Sequence, residues 1–205
     1  SLSKDELGGA QVHASSGIVD NLANDEYDAF DQVQKFLSYL PNSVWQRTPR
    51  IACEDPVDRM EEALLSIVPR AANTAFDMRA IVNMVVDQGS FFEMGAAFGP
   101  SQICGFARLD GQPVGVLAND CHYYAGAMTA EAAQKYRRFV ETCDTFHVPI
   151  VNFVDQPGFM IGPESESAGT IRFGMAAVAA AAQSTIPWAV IQVHKGFGVA
   201  TAAHY

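Results

Sequence analysis

The sequence is short of positive charge and of long apolar segments. It has 13 Lys and Arg against 23 Asp and Glu, which gives a formal net charge of −10 at pH 7. Nucleic acid and anionic membrane surfaces are recognised by basic side chains, so we expect neither as the main partner. No run of about 18 apolar residues is present, and the first residues lack the features of a secretory signal. These absences predict a cytoplasmic protein.

Motifs for metal binding and for common nucleophiles are also missing. The four cysteines never form a C-x-x-C pair, and the five histidines form neither H-E-x-x-H nor H-x-H. We therefore expect structural thiols and no metal site. The sequence has no G-x-S-x-G, no P-loop and no G-x-G-x-x-G after a strand, and the GFG at 196–198 is too short for a dinucleotide site.

The second half of the chain has the pattern of an α/β fold. Asp110-Gly111 between two apolar runs predicts a tight hairpin. Two helices and two buried strands then alternate, as expected for β-α-β crossovers. The predicted elements are a helix from Thr129 to about Phe146, a strand at Pro149–Val154, a helix at about Ala168–Ser184 and a strand at Pro187–Val193.

Upstream of residue 100 the pattern predicts helices joined by a proline-rich linker. A helix is expected over about Asp25–Tyr39, with Asn24 as its cap, and another over about Asp77–Val86. Asp55-Pro56 is expected to begin a short helix. The stripe expected to face inward in the first helix contains Phe30, Val33, Phe36, Leu37 and Leu40. Both chain ends interrupt apparent structure, so we expect a piece of a longer polypeptide.

Three loops follow the predicted strands at the edge where α/β proteins bind ligands. They span 122–128, 155–163 and 194–200, and all combine small residues with free backbone N–H groups. Such loops suit a reaction in which negative charge develops on an oxygen and no side-chain nucleophile is required. His194 and Lys195 are the titratable groups beside the third loop, and His194 is interpreted as structural rather than as a base. Ordinary tight turns remain the alternative for each loop.

Longer segments resemble the carboxyltransferase component of biotin-dependent acyl-CoA carboxylases of the propionyl-CoA and methylcrotonyl-CoA type. The resemblance extends over almost the whole chain, in order. The segments that carry it are ELGGAQVHASSG (6–17), DPVDR (55–59), IVP (67–69), VVDQGSFFEM (85–94), GFARLDGQPVGVLAND (105–120), FVETCDTFHVPIVNFVDQPGFMIG (139–162), AGTIRFG (168–174) and KGFGVA (195–200).

The resemblance implies a crotonase-like (ClpP/crotonase) fold, a β-β-α superhelix within the α/β class. By that comparison residues 1–40 are the end of an N-terminal half, residues 41–76 are the linker between halves, and residues 77–205 are most of a C-terminal half. The implied partners are biotin carboxylase and biotin carrier protein subunits and further copies of the chain. The family also allows the mitochondrial matrix as a location.

The implied activity is transfer of a carboxyl group from carboxybiotin, held on a partner carrier domain, to the α-carbon or vinylogous carbon of an acyl-CoA. Backbone amides of Gly198, Val199 and Ala200 are expected to stabilise the ureido oxyanion, each for about 3 kcal/mol. The residues expected to contact biotin are Gly126, Ala127, Gly158, Phe159 and Phe197. No side-chain base is required.

Two positions depart from the family pattern G-G-A-Y-D. Val199 stands where a glycine is usual, which predicts altered backbone geometry because β-branched residues disfavour positive φ. In the family pattern an aspartate that shapes the acyl pocket stands where this chain has Ala202. The sequence therefore does not predict which acyl group is carboxylated. Two alternative functions also stay open: the carboxyltransferase subunit of an acyl-CoA decarboxylase, and a non-catalytic assembly fragment.

Overall fold

A five-stranded mixed sheet organises the chain. In the computed structural model, which describes residues 2–71 and 73–204, the strands are ordered β1-β2-β3-β4-β5 along the sheet. Tyr205, the last residue of the predicted C-terminal half, lies outside the described residues. The strands are β1 Phe92–Met94, β2 Gln102–Leu109, β3 Gln112–Asn119, β4 Ile150–Gln156 and β5 Trp188–Gly196. The α-helices are α1 Lys4–Gly8, α2 Ala10–Ser15, α3 Glu26–Tyr39, α4 Met78–Val85, α5 Ala130–Thr145, α6 Pro163–Ser167 and α7 Thr170–Gln183.

The predicted hairpin joins β2 and β3 in antiparallel register, with Leu109 opposite Gln112. Asp110 and Gly111 both have positive φ, 50° and 73°, as a tight two-residue turn requires. The Asp87 carboxylate fixes this turn, because it accepts the N–H groups of Asp110 at 2.9 Å and Gly111 at 2.8 Å. The hairpin prediction is confirmed.

The strands β3, β4 and β5 are parallel, so their carboxyl ends lie at one edge of the sheet. Helix α5 connects β3 to β4, and α7 connects β4 to β5. Thr129 caps α5 as predicted, with its hydroxyl oxygen accepting the Ala132 N–H at 3.1 Å. The prediction that β5 is a buried strand is wrong, because β5 is the edge strand and its Ile191 is partly exposed.

Both faces of the sheet are covered by apolar side chains. Cys104 and Phe106 of β2 face a cluster built with α5 and α7, whereas Ile103 and Ala107 face a cluster built with α4. This alternation follows from the two-residue period of a strand. The sheet therefore lies between helices, and the candidate site is formed by the loops at its edge.

Helix α3 begins one residue later than expected. Asp25 is the cap, since its carboxylate accepts the Asp28 N–H, and Asn24 instead donates to Asp28. The inward stripe is partly wrong: Leu40 is buried and Phe36 packs against the core, but the other three members are mainly exposed. These are Phe30 at 64%, Val33 at 54% and Leu37 at 58%. Tyr39, outside the predicted stripe, is buried and stacks on Phe106.

The short helix expected at Asp55-Pro56 is not formed; the region instead has a single 3₁₀ turn at Glu62–Leu65. The reason is that the Asp55 carboxylate has other partners. It pairs with Arg59 at 2.9 Å and accepts the Gln88 N–H at 3.0 Å, so it cannot cap a helix. Within the residues that the structure describes, no helix is long and apolar enough to cross a membrane.

Candidate active site at the carboxyl ends of the parallel strands

The three predicted loops meet at one edge of the sheet. The Met128 N–H donates to Gly158 O at 3.0 Å, and the Met160 N–H donates to Met128 O at 2.9 Å, so the first two loops pair like a short parallel ladder. The Phe197 N–H donates to Gln156 O at 2.8 Å and joins the third loop to the second. The sequence prediction that these loops lie side by side therefore agrees with the structure.

Three of the predicted biotin-contacting residues have backbone N–H groups that are already bonded within their loops. Gly126 donates to Tyr123 O at 2.9 Å and Ala127 to Tyr124 O at 3.0 Å. Gly158 donates to the Gln156 side-chain oxygen at 2.9 Å. These amides hold the loop shapes, so we no longer expect them to donate to a ligand.

Phe159 has a packing role that the sequence did not reveal. Its ring lies against Gly174 of α7, where an added Cβ would stand only 2.2 Å from a ring atom. Phe159 therefore anchors the second loop to α7. Because any larger residue at position 174 would displace this ring, Gly174 is required by the close approach.

The third loop presents the free amides. Among the described residues, no hydrogen-bond acceptor lies within reach of the N–H groups of Gly198, Val199 or Ala200. Gly198 takes φ 67° and precedes a 3₁₀ turn at Val199–Ala203. The side chains of Phe197 and Val199 are 60% and 63% exposed, whereas Ala200 is fully buried. The accessible donors are therefore the amides of Gly198 and Val199.

Val199 does not adopt a positive φ. Among the described residues, the non-glycine positions with positive φ are Asp110, Tyr124, Ala125 and His147. The left-handed conformation falls on Gly198, where glycine adopts it freely. Val199 starts the 3₁₀ turn. Altered loop geometry relative to the family stays a prediction.

A buried carboxylate lies directly behind the third loop. Asp155 is fully buried at the end of β4, and its Oδ1 atom accepts the Lys195 backbone N–H at 2.9 Å. The same oxygen lies 3.4 Å from His194 Nδ1 and 3.6 Å from Lys195 Nζ. The side chains of His194 and Lys195 thus both face Asp155. The interpretation of His194 as structural stays a prediction.

His204 is a second buried group that sequence reasoning missed. It is fully buried, with its Nδ1 atom 2.9 Å from the Asn152 amide and its Nε2 atom 3.2 Å from the Gln156 amide. Burial lowers the pKa of His204 to about 4. Since Gln156 also binds the Gly158 N–H, the neutral imidazole supports the second loop from below.

The pKa of His204 predicts an acid-sensitive stability. Below pH 6.5 the unfolded chain takes up a proton at this residue and the folded chain does not, so stability present above pH 6.5 is lost as the pH falls towards 4. For the full-length protein, the free energy of unfolding between pH 7 and 4.5 should fall by about 2 to 3 kcal/mol more in wild type than in His204→Gln. Denaturant melts at both pH values measure this difference. Parallel pH profiles for the two proteins would show that His204 does not titrate in this way.

Glu93, which follows Phe91 and Phe92, is a paired acid. Its two carboxylate oxygens each accept a hydrogen bond from Arg79 at 2.7 Å. Arg79 also pairs with Asp120, which is buried and directly follows β3. The Asp120 Oδ1 atom also lies 3.0 Å from His122 Nδ1. Although burial alone would raise the pKa of Asp120, its hydrogen bonds with Arg79 and His122 lower it. This network fixes the start of the first loop.

The described part of the chain contains no group of three or more His, Cys, Asp or Glu side chains placed to hold a metal ion. Two cavities, of about 620 and 710 Å³, lie at the opposite end of the sheet around residues 44–56. The candidate site is thus a surface of backbone amides at the strand ends.

Unpaired backbone amides at the carboxyl ends of parallel strands can donate to a negatively charged oxygen. The chain belongs to the carboxyl transferase domain family, whose sequence model matches residues 1–204. The propionyl-CoA carboxylase carboxyltransferase subunit of Haloferax mediterranei is 39% identical over 195 residues, covering 95% of this chain and 38% of that protein. The methylmalonyl-CoA decarboxylase subunit alpha of Veillonella parvula is 35% identical over 198 residues, covering 96% of this chain and 39% of that protein.

The same fold is present in a solved structure. A crystal structure of transcarboxylase 12S, described as a hexamer with methylmalonyl-coenzyme A and methylmalonic acid bound, matches with a TM-score of 0.95 at 31% identity. The match covers 99% of this chain and 39% of that one. The α/β, crotonase-like fold class is therefore confirmed. The chain spans about two-fifths of the length of the curated relatives it matches, and the segment boundaries at 40 and 76 stay predictions.

Proposed function

We propose that the full-length protein is a biotin-dependent carboxyltransferase that moves a carboxyl group from carboxybiotin to the α-carbon, or vinylogous carbon, of an acyl-CoA. The observation that carries this proposal is the set of unpaired amides at Gly198–Ala200, on an edge built by three loops. Family membership supports it, and so does the acyl-CoA bound to the transcarboxylase structure.

The residues of this chain fit the chemistry of a ureido group. When bound, carboxybiotin supplies the carboxyl group to be transferred. The amides of Gly198 and Val199 reach the surface and can donate to a negatively charged oxygen, while Phe197 and Val199 give an exposed apolar surface for a flat ring. His194 and Lys195 already face Asp155, so neither is proposed as a catalytic base.

A second candidate is the same transfer in the direction of decarboxylation. The relative from Veillonella parvula, named a methylmalonyl-CoA decarboxylase subunit, supports it at 35% identity. Both directions need the same stabilised oxyanion, so the amides of the third loop would serve either. The direction of transfer is identified by the product that accumulates. One reaction starts from carboxybiotin and acyl-CoA, and the other starts from biotin and the carboxylated acyl-CoA.

The proposed partners are a biotin carboxylase subunit, a biotin carrier protein and further copies of the chain. The three exposed members of the α3 stripe support association, because contiguous apolar surface of this kind is usually covered. The transcarboxylase structure is described as a hexamer. Light scattering on the full-length protein is expected to show an oligomer.

The proposed function predicts an acyl-CoA-dependent reaction. Full-length protein incubated with carboxybiotin and a panel of acetyl-, propionyl- and methylcrotonyl-CoA should produce a carboxylated acyl-CoA detectable by mass spectrometry. The reverse arm supplies the carboxylated acyl-CoA and biotin. Absence of product in both arms, with folded oligomeric protein, would reject the proposed activity in favour of a non-catalytic role.

A further inference from the structure

We propose that Asp155 is the positioning residue of this site, and that its carboxylate holds the loop bearing the Gly198 and Val199 amides in register with the other two loops. The proposal rests on the function proposed above for those amides. Asp155 touches no reacting group; it acts through Lys195 and the backbone that follows.

A local irregularity between β4 and β5 creates this arrangement. Val154 pairs with Gln192 and Gln156 pairs with Gly196, so β4 advances two residues while β5 advances four. The additional residues of β5 bulge around Asp155, which stands between the two paired positions. Bulges of this kind commonly redirect side chains next to active sites. Here the bulge brings the Lys195 backbone N–H onto Asp155 Oδ1 at 2.9 Å.

Asp155 links the three loops through its carboxylate and its backbone together. Lys195 Nζ lies 3.6 Å from Asp155 Oδ1 and donates to Ala125 O at 3.4 Å, which joins the third loop to the first. The Asp155 backbone N–H donates to Asn119 Oδ1 at 2.9 Å. Gly126 rests directly on the Asp155 carbonyl, since an added Cβ there would stand 2.8 Å from this oxygen.

Burial makes the carboxylate hard to replace. Asp155 is fully buried, so losing its charge would leave the Lys195 ammonium without its carboxylate neighbour in a poorly solvated place. Asparagine keeps an oxygen that can accept the Lys195 N–H but removes the charge that faces Lys195 and His194. The variant Asp155→Asn therefore tests the charge while largely preserving side-chain volume.

The test uses the full-length protein and a matched control, Asp87→Asn. Asp87 is another carboxylate that accepts two backbone N–H groups, but it does so at the hairpin turn. In hydrogen exchange measured by mass spectrometry, Asp155→Asn should speed exchange in the segment 194–203 and leave 108–112 unchanged. Asp87→Asn should do the reverse.

Turnover gives the second readout. Displacing an oxyanion donor by about 1 Å costs on the order of 100-fold, so Asp155→Asn should lower kcat by about 10- to 100-fold with little change in the KM for acyl-CoA. Asp87→Asn should keep its kcat per folded molecule. Unchanged exchange at 194–203, or a kcat for Asp155→Asn that falls only with the folded fraction, would overturn the positioning role.

The two proposals fail in different ways. Wild-type protein that transfers no carboxyl group refutes the proposed function, while the exchange experiment still decides whether Asp155 holds the loop. If Asp155→Asn yields no folded protein, Lys195→Met removes only the ammonium from the same cluster. It should likewise speed exchange in 194–203, and unchanged exchange in that variant would overturn the proposal.

Discussion

Replacing Val199 with proline is expected to lower carboxyl transfer by about 100- to 1,000-fold without unfolding the protein. Proline removes the N–H that we assign to the oxyanion, and loss of one such donor costs this much in other enzymes. Val199 begins the 3₁₀ turn, and the first position of a helix accepts proline because its N–H has no intrahelical partner. The measurement is kcat for carboxyl transfer in the full-length protein, with folding checked by a thermal melt.

Val199→Ala is the matched control, because it removes the side chain and keeps the N–H. The ratio of turnover between the two variants therefore measures the amide alone. Ala200→Pro would also remove an N–H, but it is a less clean test because Ala200 is fully buried, so the proline ring would disturb its packing. Equal turnover of Val199→Pro and Val199→Ala would remove the Val199 amide from the mechanism.

Replacing Arg79 with methionine is expected to lower the free energy of unfolding by about 3 kcal/mol. Arg79 binds both Glu93 and Asp120, and Asp120 is buried, so the substitution leaves that carboxylate without its cationic partner. The hydrogen bonds with Glu93 raise the pKa of Arg79, which stays charged throughout. Denaturant titration of wild type and variant at pH 7 gives the difference.

The matched control is Arg137→Met, which breaks the ion pair with Glu141 on the exposed face of α5. Both of those side chains are about half exposed, so the change should cost less than about 1 kcal/mol. The pKa of Asp120 is lowered in the folded state, so the stability that Arg79 provides is present at neutral pH and is lost as the pH falls below about 4. A gap between wild type and Arg79→Met that stays constant from pH 7 to pH 3 would contradict this account.

Much of the fold could be predicted from the sequence because its signals are local. Asp110-Gly111 requires a turn, Thr129 caps a helix, and the alternation of strands and helices after residue 100 sets the parallel arrangement. The three loops at the sheet edge follow from that arrangement, since parallel strands end together.

What could not be predicted depends on distant contacts. Arg79 and Asp120 are 41 residues apart, and nothing in the spacing of Glu93 distinguishes a paired acid from a solvated one. The position of Asp155 behind Lys195 depends on a bulge in β5 that period-two patterning cannot reveal. The apolar spacing of α3 predicted the helix, but it could not show that Phe30, Val33 and Leu37 are exposed.

The loop amides were only partly predictable. Glycine and proline mark turns, so the sequence locates 126–127, 158–159 and 198–200 as loops but cannot say which N–H groups the turns consume. In the structure Gly126, Ala127 and Gly158 bond within their loops, whereas Gly198, Val199 and Ala200 find no acceptor among the described residues. Burial then restricts the surface donors to Gly198 and Val199.

The most direct test follows isotope-labelled carboxyl from carboxybiotin to an acyl-CoA, in full-length wild type and Val199→Pro run side by side. The account predicts labelled carboxylated acyl-CoA from wild type and at least about 100-fold slower transfer from the folded variant. Transfer at the same rate in both proteins would contradict the claim that an unpaired amide of the third loop stabilises the reacting oxyanion.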